Sequence, residues 1–318
     1  MERASQKLRT LVLGGTVLLL AALLTAAQPP AAAPPDTEIL LAPLSPGASA
    51  PVGPPVNITN SPGYDNQPAF TPDGSGILFT SIRGGGTQTD IYRYDVASGE
   101  TRRVTSTPES EYSPTVTPDG AHISVIRVEA DGTQRLWRFT IDGRAPELVL
   151  TNIKPVGYHA WADDHTLALF VLGSPATLQL ADTSTGNAVV LVKGIGRSIQ
   201  RIPGGGTISF VERTGGTAPG DATLSIRELD PKTKRITPLV DAVSGAREAD
   251  CAWTPDGMLV MAEKDVLYGW RRGQTAAAGS GQGGWRTLTD LAALGLHGVT
   301  RIAISPHGDR IAFVTQTP

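Results

Sequence analysis

The chain has 318 residues, a net charge of -3 with only 18% charged side chains, 36 glycines and 25 prolines. That balance gives no electrostatic basis for a nucleic-acid partner, and Gly and Pro spread along the chain suit many short strands and tight turns rather than long helices. A single cysteine, Cys251, excludes an internal disulfide, so the fold must be held by burial.

In chain order, Arg3, Lys7 and Arg9 precede an apolar run, Leu11–Ala27, that ends in Thr25-Ala26-Ala27. This is the pattern of a signal peptide over residues 1–27, and it predicts export to a bacterial periplasm or the cell exterior. The run contains Gly14, Gly15 and Thr16 and is short for a membrane span. No span is therefore expected once the signal is removed, and an uncleaved N-terminal anchor is the alternative. Residues 28–55 are rich in Pro, Ala, Ser and Gly and read as an extended linker, interrupted by one apolar island at 38–44, Glu38 to Leu44.

From residue 56 onward a repeat takes over. Ala69-Phe70-Thr71-Pro72-Asp73-Gly74 returns as Thr115-Val116-Thr117-Pro118-Asp119-Gly120, as Ala252-Trp253-Thr254-Pro255-Asp256-Gly257 and as Ala303-Ile304-Ser305-Pro306-His307-Gly308. Degenerate copies stand at Ala160-Trp161-Ala162-Asp163-Asp164 and Arg201-Ile202-Pro203-Gly204-Gly205. Taking Phe70, Val116, Trp161, Ile202, Trp253 and Ile304 as equivalent gives a period of about 47 residues, which belongs to four-stranded propeller blades. The first copy continues with an apolar strand (Ile77–Ile82), a strand ending in Asp95, the turn Ala97-Ser98-Gly99-Glu100 and a closing strand ending Val104-Thr105. The sixth copy stops after two strands. The island at 38–44 and the segment Val56–Thr59 read as the missing third and fourth, so the prediction is an all-β, six-bladed propeller over residues 56–318 whose last blade is closed by N-terminal strands. Closure of this kind pairs edges that would otherwise be exposed.

A Pro-Asp-Gly turn, an apolar strand, a strand ending in Asp, a Ser/Thr-Gly turn and a closing Val/Ile-Thr, in that order, resemble the TolB-type propeller repeat. The resemblance covers nearly all of 56–318 and implies the fold. It also implies a non-enzymatic binding role within an envelope-spanning complex, although the separate N-terminal α/β domain of TolB proteins has no counterpart here.

The aspartates of the Pro-Asp-Gly turns, Asp73, Asp119 and Asp256, read as turn formers, because Asp bonds nearby amides and Gly accepts positive φ. No Gly-x-Ser-x-Gly elbow, phosphate loop, EF-hand loop or paired-histidine metal motif is present. His159 and Gln200 fall in one register of the alignment above, two residues before Trp161 and Ile202. Some propeller lyases acting on acidic sugars hold a metal with His and Gln, but packing between blades is the favoured reading of this pair. No cofactor is indicated, and a calcium or other metal in the channel is left open.

Propeller topology supplies the more informative set. The connections into each first strand lie on one face with the loops between strands two and three, so residues just before each first strand should ring the channel mouth. They are Asp65, Asn66, Gln67, Glu111, Tyr112, Tyr158, Arg197, Ser198, Arg247, Glu248, Asp250, His297, Thr300 and Arg301. This mixed-charge, aromatic rim suits a peptide, a protein or a small polar ligand. A monomer binding a periplasmic or envelope partner is the favoured function. The alternative is a lyase or lactonase that uses a metal held by His159, Gln200 and His297.

Overall fold

A computed structural model describes residues 34–49, 51–215, 222–273 and 283–316. They form six four-stranded antiparallel sheets, each a blade. Blade one comprises Asp65–Phe70, Gly76–Ser81, Asp90–Asp95 and Thr101–Arg103. Blade two comprises Ser110–Val116, His122–Val128, Gln134–Thr140 and Glu147–Leu148, and blade three Val156–Trp161, Thr166–Val171, Thr177–Asp182 and Asn187–Lys193. Blade four takes Ile195–Arg201, Ile208–Thr214, Thr223–Leu229 and Ile236–Asp241, and blade five Cys251–Trp253, Leu259–Glu263, Val266–Trp270 and Arg286–Asp290. Blade six starts with Arg301–Ile304 and Arg310–Gln316 and takes its outer strands from far upstream, as Thr37–Pro43 and Val56–Asn57. The pairing runs unbroken from Thr37↔Gln316 to Pro43↔Arg310.

Each second strand is sandwiched between neighbouring blades, which explains its apolar run: Gly76–Ser81 is buried throughout, and His122–Val128 is buried except at its ends. The buried side chains gather into clusters that each straddle one blade–blade interface. One of them joins Ile39 and Val314 of blade six to Ile77 and Phe79 of blade one. The innermost strand of blade six also touches that of blade one, which completes the ring.

Two devices recur. In the repeat turns a hydroxyl donates to the aspartate, Thr71 Oγ1 to Asp73 Oδ1 at 2.6 Å and Thr117 Oγ1 to Asp119 Oδ1 at 2.5 Å. The glycine that follows takes positive φ, +68° at Gly74 and +69° at Gly120. These bonds hold the aspartates below the usual carboxylate range, Asp73 at about 2, so they are turn formers. The second device ties blades together. Trp161 Nε1 donates to Ser124 Oγ of the preceding blade at 2.9 Å, and Trp253 Nε1 donates to Ser209 Oγ at 2.8 Å.

Blade four corrects one alignment. Arg201 pairs with Ile208, across the same span that separates Phe70 from Ile77. Arg201, rather than Ile202, is therefore the counterpart of Phe70 and Trp161. The predicted signal at 1–27 lies outside the described residues, as does most of the glycine-rich stretch 273–284.

Candidate functional site

The correct register reveals a ring. Counting back three residues from Phe70, Val116, Trp161, Arg201, Trp253 and Ile304 gives Gln67, Ser113, Tyr158, Ser198, Asp250 and Arg301, all of them polar. In blades one to four the first-strand ladder is interrupted at or beside this position by a bulge or similar irregularity. Gln67 and Ser113 sit there with φ of 57° and 53°, a conformation that a non-glycine residue adopts only where its surroundings hold it. What holds them is a bond between blades: Gln67 Oε1 accepts from the Ser113 amide at 2.8 Å and from Thr80 Oγ1 at 2.8 Å.

On the other side of the channel the same ring carries charge. Arg301 Nη2 donates to Tyr158 Oη at 2.7 Å, with its guanidinium 5.1 Å from the centre of the tyrosine ring. These residues belong to blades six and three, opposite members of the ring, so the contact crosses the channel. Phe170 braces Tyr158 edge-on at 5.6 Å. Asp250 Oδ2 lies 3.4 Å from Arg301 Nη1 and 3.8 Å from Arg197 Nε. Burial pushes the Asp250 carboxyl up, against the pull of Arg301 and Arg197. Burial opposes the charge on Arg301, but Tyr158, Asp250 and Tyr64 outweigh it and hold the guanidinium above its ordinary range. Tyr64 belongs to the same neighbourhood, its phenol pushed to about 12 by burial against the opposing pull of Arg301.

Arg197, Asp250 and Arg301 stand between two cavities and line both. The channel itself holds about 490 Å³, with Gln67, Ser113, Tyr158 and His159 on its wall. A second cavity of about 380 Å³ opens beside the mouth, lined by Arg247, Glu248, Glu263 and Lys264 as well.

Tyr158, Arg197, Asp250 and Arg301 thus come together, with Gln67 and Ser198 beside them in the channel, and Arg247, Glu248 and Thr300 join them across the second cavity. The remaining predicted rim residues do not. Asp65 and Glu111 are fully buried, because each stands five residues before the bulky position and the first strands extend far enough to include it. Asp65 pairs with Arg83 at 3.4 Å. Glu111 accepts from Thr105 Oγ1 at 3.0 Å and from Thr107, with Arg127 Nε at 3.8 Å. Burial raises both carboxyls, Asp65 to about 6 and Glu111 to about 7. Asn66 is buried with its Oδ1 on the Gln67 amide, and Tyr112 packs onto the core between blades two and three. His297 is two-thirds exposed and bonds Asp265 Oδ2 through Nδ1 at 3.0 Å, apart from either cavity. Sequence reasoning missed Ser113 and Tyr64. Only the three-residue count in the correct register would have found Ser113.

Of the proposed metal donors, His159 and Gln200 both line the channel, whereas His297 does not. In the corrected register His159 matches Ile199, and Gln200 matches Ala160 on the alternate face. His159 Nε2 is engaged by Ser124 Oγ at 2.7 Å, its Nδ1 is buried without a partner, and burial lowers its pKa to about 4. Among the described residues no three His, Cys, Asp or Glu side chains are grouped to hold a metal ion. No helix among them is long and apolar enough to cross a membrane.

A six-bladed propeller with a polar, guanidinium-bridged channel mouth is the class of protein that this fold and site define. Residues 52–189 match the model of the TolB beta propeller domain. A segment of 43 residues, 14% of this chain, is 54% identical to the Tol-Pal system protein TolB of Bordetella pertussis, and the match spans 9% of that protein's length. Among solved structures, a putative TolB from Agrobacterium tumefaciens superposes with a TM-score of 0.64 at 18% identity, covering 90% of this chain and 99% of the other. TolB from Acinetobacter baumannii gives 0.56 at 17% identity, covering 87% and 63%. An oligogalacturonate lyase in complex with manganese gives 0.51 at 16% identity, covering 83% and 80%. At these identities the likeness is one of fold.

Proposed function

We propose that this chain is an exported, non-enzymatic propeller that presents its channel mouth to a peptide or protein partner in the bacterial envelope. The observation that carries the reading is the cluster of Arg197, Asp250, Arg301 and Tyr158, largely withdrawn from water at the junction of two cavities. Partly desolvated charges with open space beside them favour recognition, since a ligand group meets them at low dielectric. Export rests on the basic and apolar pattern of residues 3–27. The envelope setting rests on the repeat and on the segment shared with a protein named for the Tol-Pal system. Within this reading Arg197, Arg247, Glu248, Tyr158 and Arg301 form the contact set, while Asp65, Asn66, Glu111 and Tyr112 maintain the ring behind it.

The test is affinity capture from an envelope extract with the wild type and with Arg247→Glu, whose side chain is exposed. A partner held by the wild type and lost by the variant supports the reading. An identical captured set, or none, overturns it.

A further inference from the structure

The basic groups around the second cavity are poorly satisfied. Four basic side chains (Arg197, Arg247, Lys264 and Arg301) and three carboxylates (Glu248, Asp250 and Glu263) line it. One of those carboxylates, Glu248, lies 3.5 Å from Arg213, which is not in the lining. Asp250 offers a single oxygen, Oδ2, to both Arg301 and Arg197, at 3.4 and 3.8 Å. Charge-assisted pairs close to about 2.7–2.9 Å, so neither approach is a full bond.

Arg197 is the clearest case. Among the described residues its Nε is shielded from solvent without a hydrogen-bond partner, and its one side-chain hydrogen bond is a long contact from Nη2 to the Thr300 carbonyl at 3.5 Å. A guanidinium has five N–H donors in a planar fork that matches a carboxylate. Neither Lys264 nor Arg247 makes an ion pair or a side-chain hydrogen bond among the described residues, and both act on Glu263 only through their fields. Lys264 is held at the lip by the two-residue turn Lys264–Asp265, where both residues have positive φ.

We propose that this cavity, formed by residues of blades four, five and six, is a carboxylate subsite, in which Arg197 and Arg301 receive a carboxylate of the ligand and Lys264 and Arg247 steer it in. The proposal rests on the reading that the mouth binds a peptide or protein, and it names the group recognised. An incoming carboxylate supplies the acceptors that Asp250 cannot, since one oxygen serves two guanidiniums there. The resident carboxylates select a singly charged group over a dianion, which would be repelled by Asp250 and Glu263 at close range. Arg301, anchored on Tyr158, forms the floor against which the group stops. The carboxylate comes from an Asp or Glu side chain or from the ligand's C-terminus.

Fluorescence anisotropy with three labelled Gly/Ser hexapeptides tests this at low salt. The first has two internal glutamates and an amidated end, the second no acidic side chain and a free C-terminus, and the third two lysines and an amidated end. The expected result is saturable binding of the first or second, at least about tenfold tighter than the third, with the tighter of the two identifying the source of the carboxylate. Arg197→Gln removes that preference, and Lys264→Gln, an exposed site that leaves the buried cluster intact, reduces it. The melting temperature of each variant is measured alongside. Absence of saturable binding by both carboxylate peptides, or a preference unchanged in a folded Arg197→Gln variant, overturns the proposal. If the wild type still captures a partner that Arg247→Glu loses, the carboxylate subsite alone has failed; if capture fails too, so has the binding function.

Discussion

Arg301 of blade six reaches across the channel and donates to Tyr158 Oη of blade three at 2.7 Å, joining opposite sides of the ring. The pair divides the channel from the mouth cavity and holds one basic side chain in place without a full ion pair. Tyr158→Phe keeps the ring beneath the guanidinium but leaves an N–H without its acceptor. The expected loss is about 1–3 kcal/mol of stability, read from urea unfolding. A variant as stable as the wild type would show that the cross-channel contact is incidental.

Buried carboxyls make stability fall with rising pH. In the folded state Asp65 and Glu111 titrate at about 6 and about 7, above the ordinary carboxylate range. A pKa raised by folding means that the native state binds more protons. The stabilisation is therefore complete below about pH 4 and is lost as pH rises through those values. Glu111→Gln keeps one acceptor oxygen for the two threonines, offers an N–H to the other hydroxyl and removes one titration. Between about pH 5 and pH 7.5 the wild type is expected to lose stability relative to this variant. Parallel pH profiles would contradict the assignment.

The two Trp–Ser ties differ in how much depends on them. Ser124 accepts from Trp161 and also contacts His159 Nε2, whereas Ser209 serves Trp253. Each serine-to-alanine change strands a buried indole N–H at a cost of about 1–3 kcal/mol. Ser124→Ala is expected to be the worse, because it strands the imidazole too. Equal unfolding midpoints for the two variants would remove His159 from this network.

Cys251 is buried beside Ser198 Oγ, and burial pushes its thiol to about 12. A thiol reagent should therefore modify it only as fast as the domain opens, with a rate that climbs with urea. Prompt stoichiometric labelling of the folded protein would refute this.

The strand Thr37–Pro43 packs as core. Ile39 is fully buried against Ile77, Phe79 and Val314, so Ile39→Ala should cost about 2–5 kcal/mol. Val56, 63% exposed in the neighbouring strand, should tolerate alanine to within about 0.5 kcal/mol. Denaturant unfolding of both checks the contrast, and similar midpoints would mean that blade six does not depend on this strand.

The ring was legible because six copies of one pattern recur at nearly constant spacing, and Thr71, Asp73 and Gly74 serve the same turn that Thr117, Asp119 and Gly120 serve. The site was half legible. Topology led to Tyr158, Arg197 and Arg301, because it says which connections meet at the mouth. It misplaced Asp65 and Glu111, because nothing in the pattern marks a first strand as extending five residues ahead of its bulky anchor. Blade four misled for a separate reason. Gly204-Gly205-Gly206 replaces the usual turn residues and suggests a shorter hairpin, whereas the pairing of Arg201 with Ile208 keeps the usual span. That one-residue slip put His159 and Gln200 on a common face, and it suggested a metal pair where the strands place the two side chains on alternate faces.

The antiparallel pairing of Thr37 with Gln316 has a mechanical consequence. Both residues lie at the same end of the two paired strands, so a load drawn between the segment ahead of Thr37 and the segment behind Gln316 opens the seam one pair at a time, like a zip. A load drawn between the segment ahead of Thr37 and the far end of the partner strand, where Pro43 pairs with Arg310, falls instead on the whole length of the seven-residue strand and must shear its bonds together. The same lock is weak in one direction of pull and strong in the other, and where the load is applied decides which.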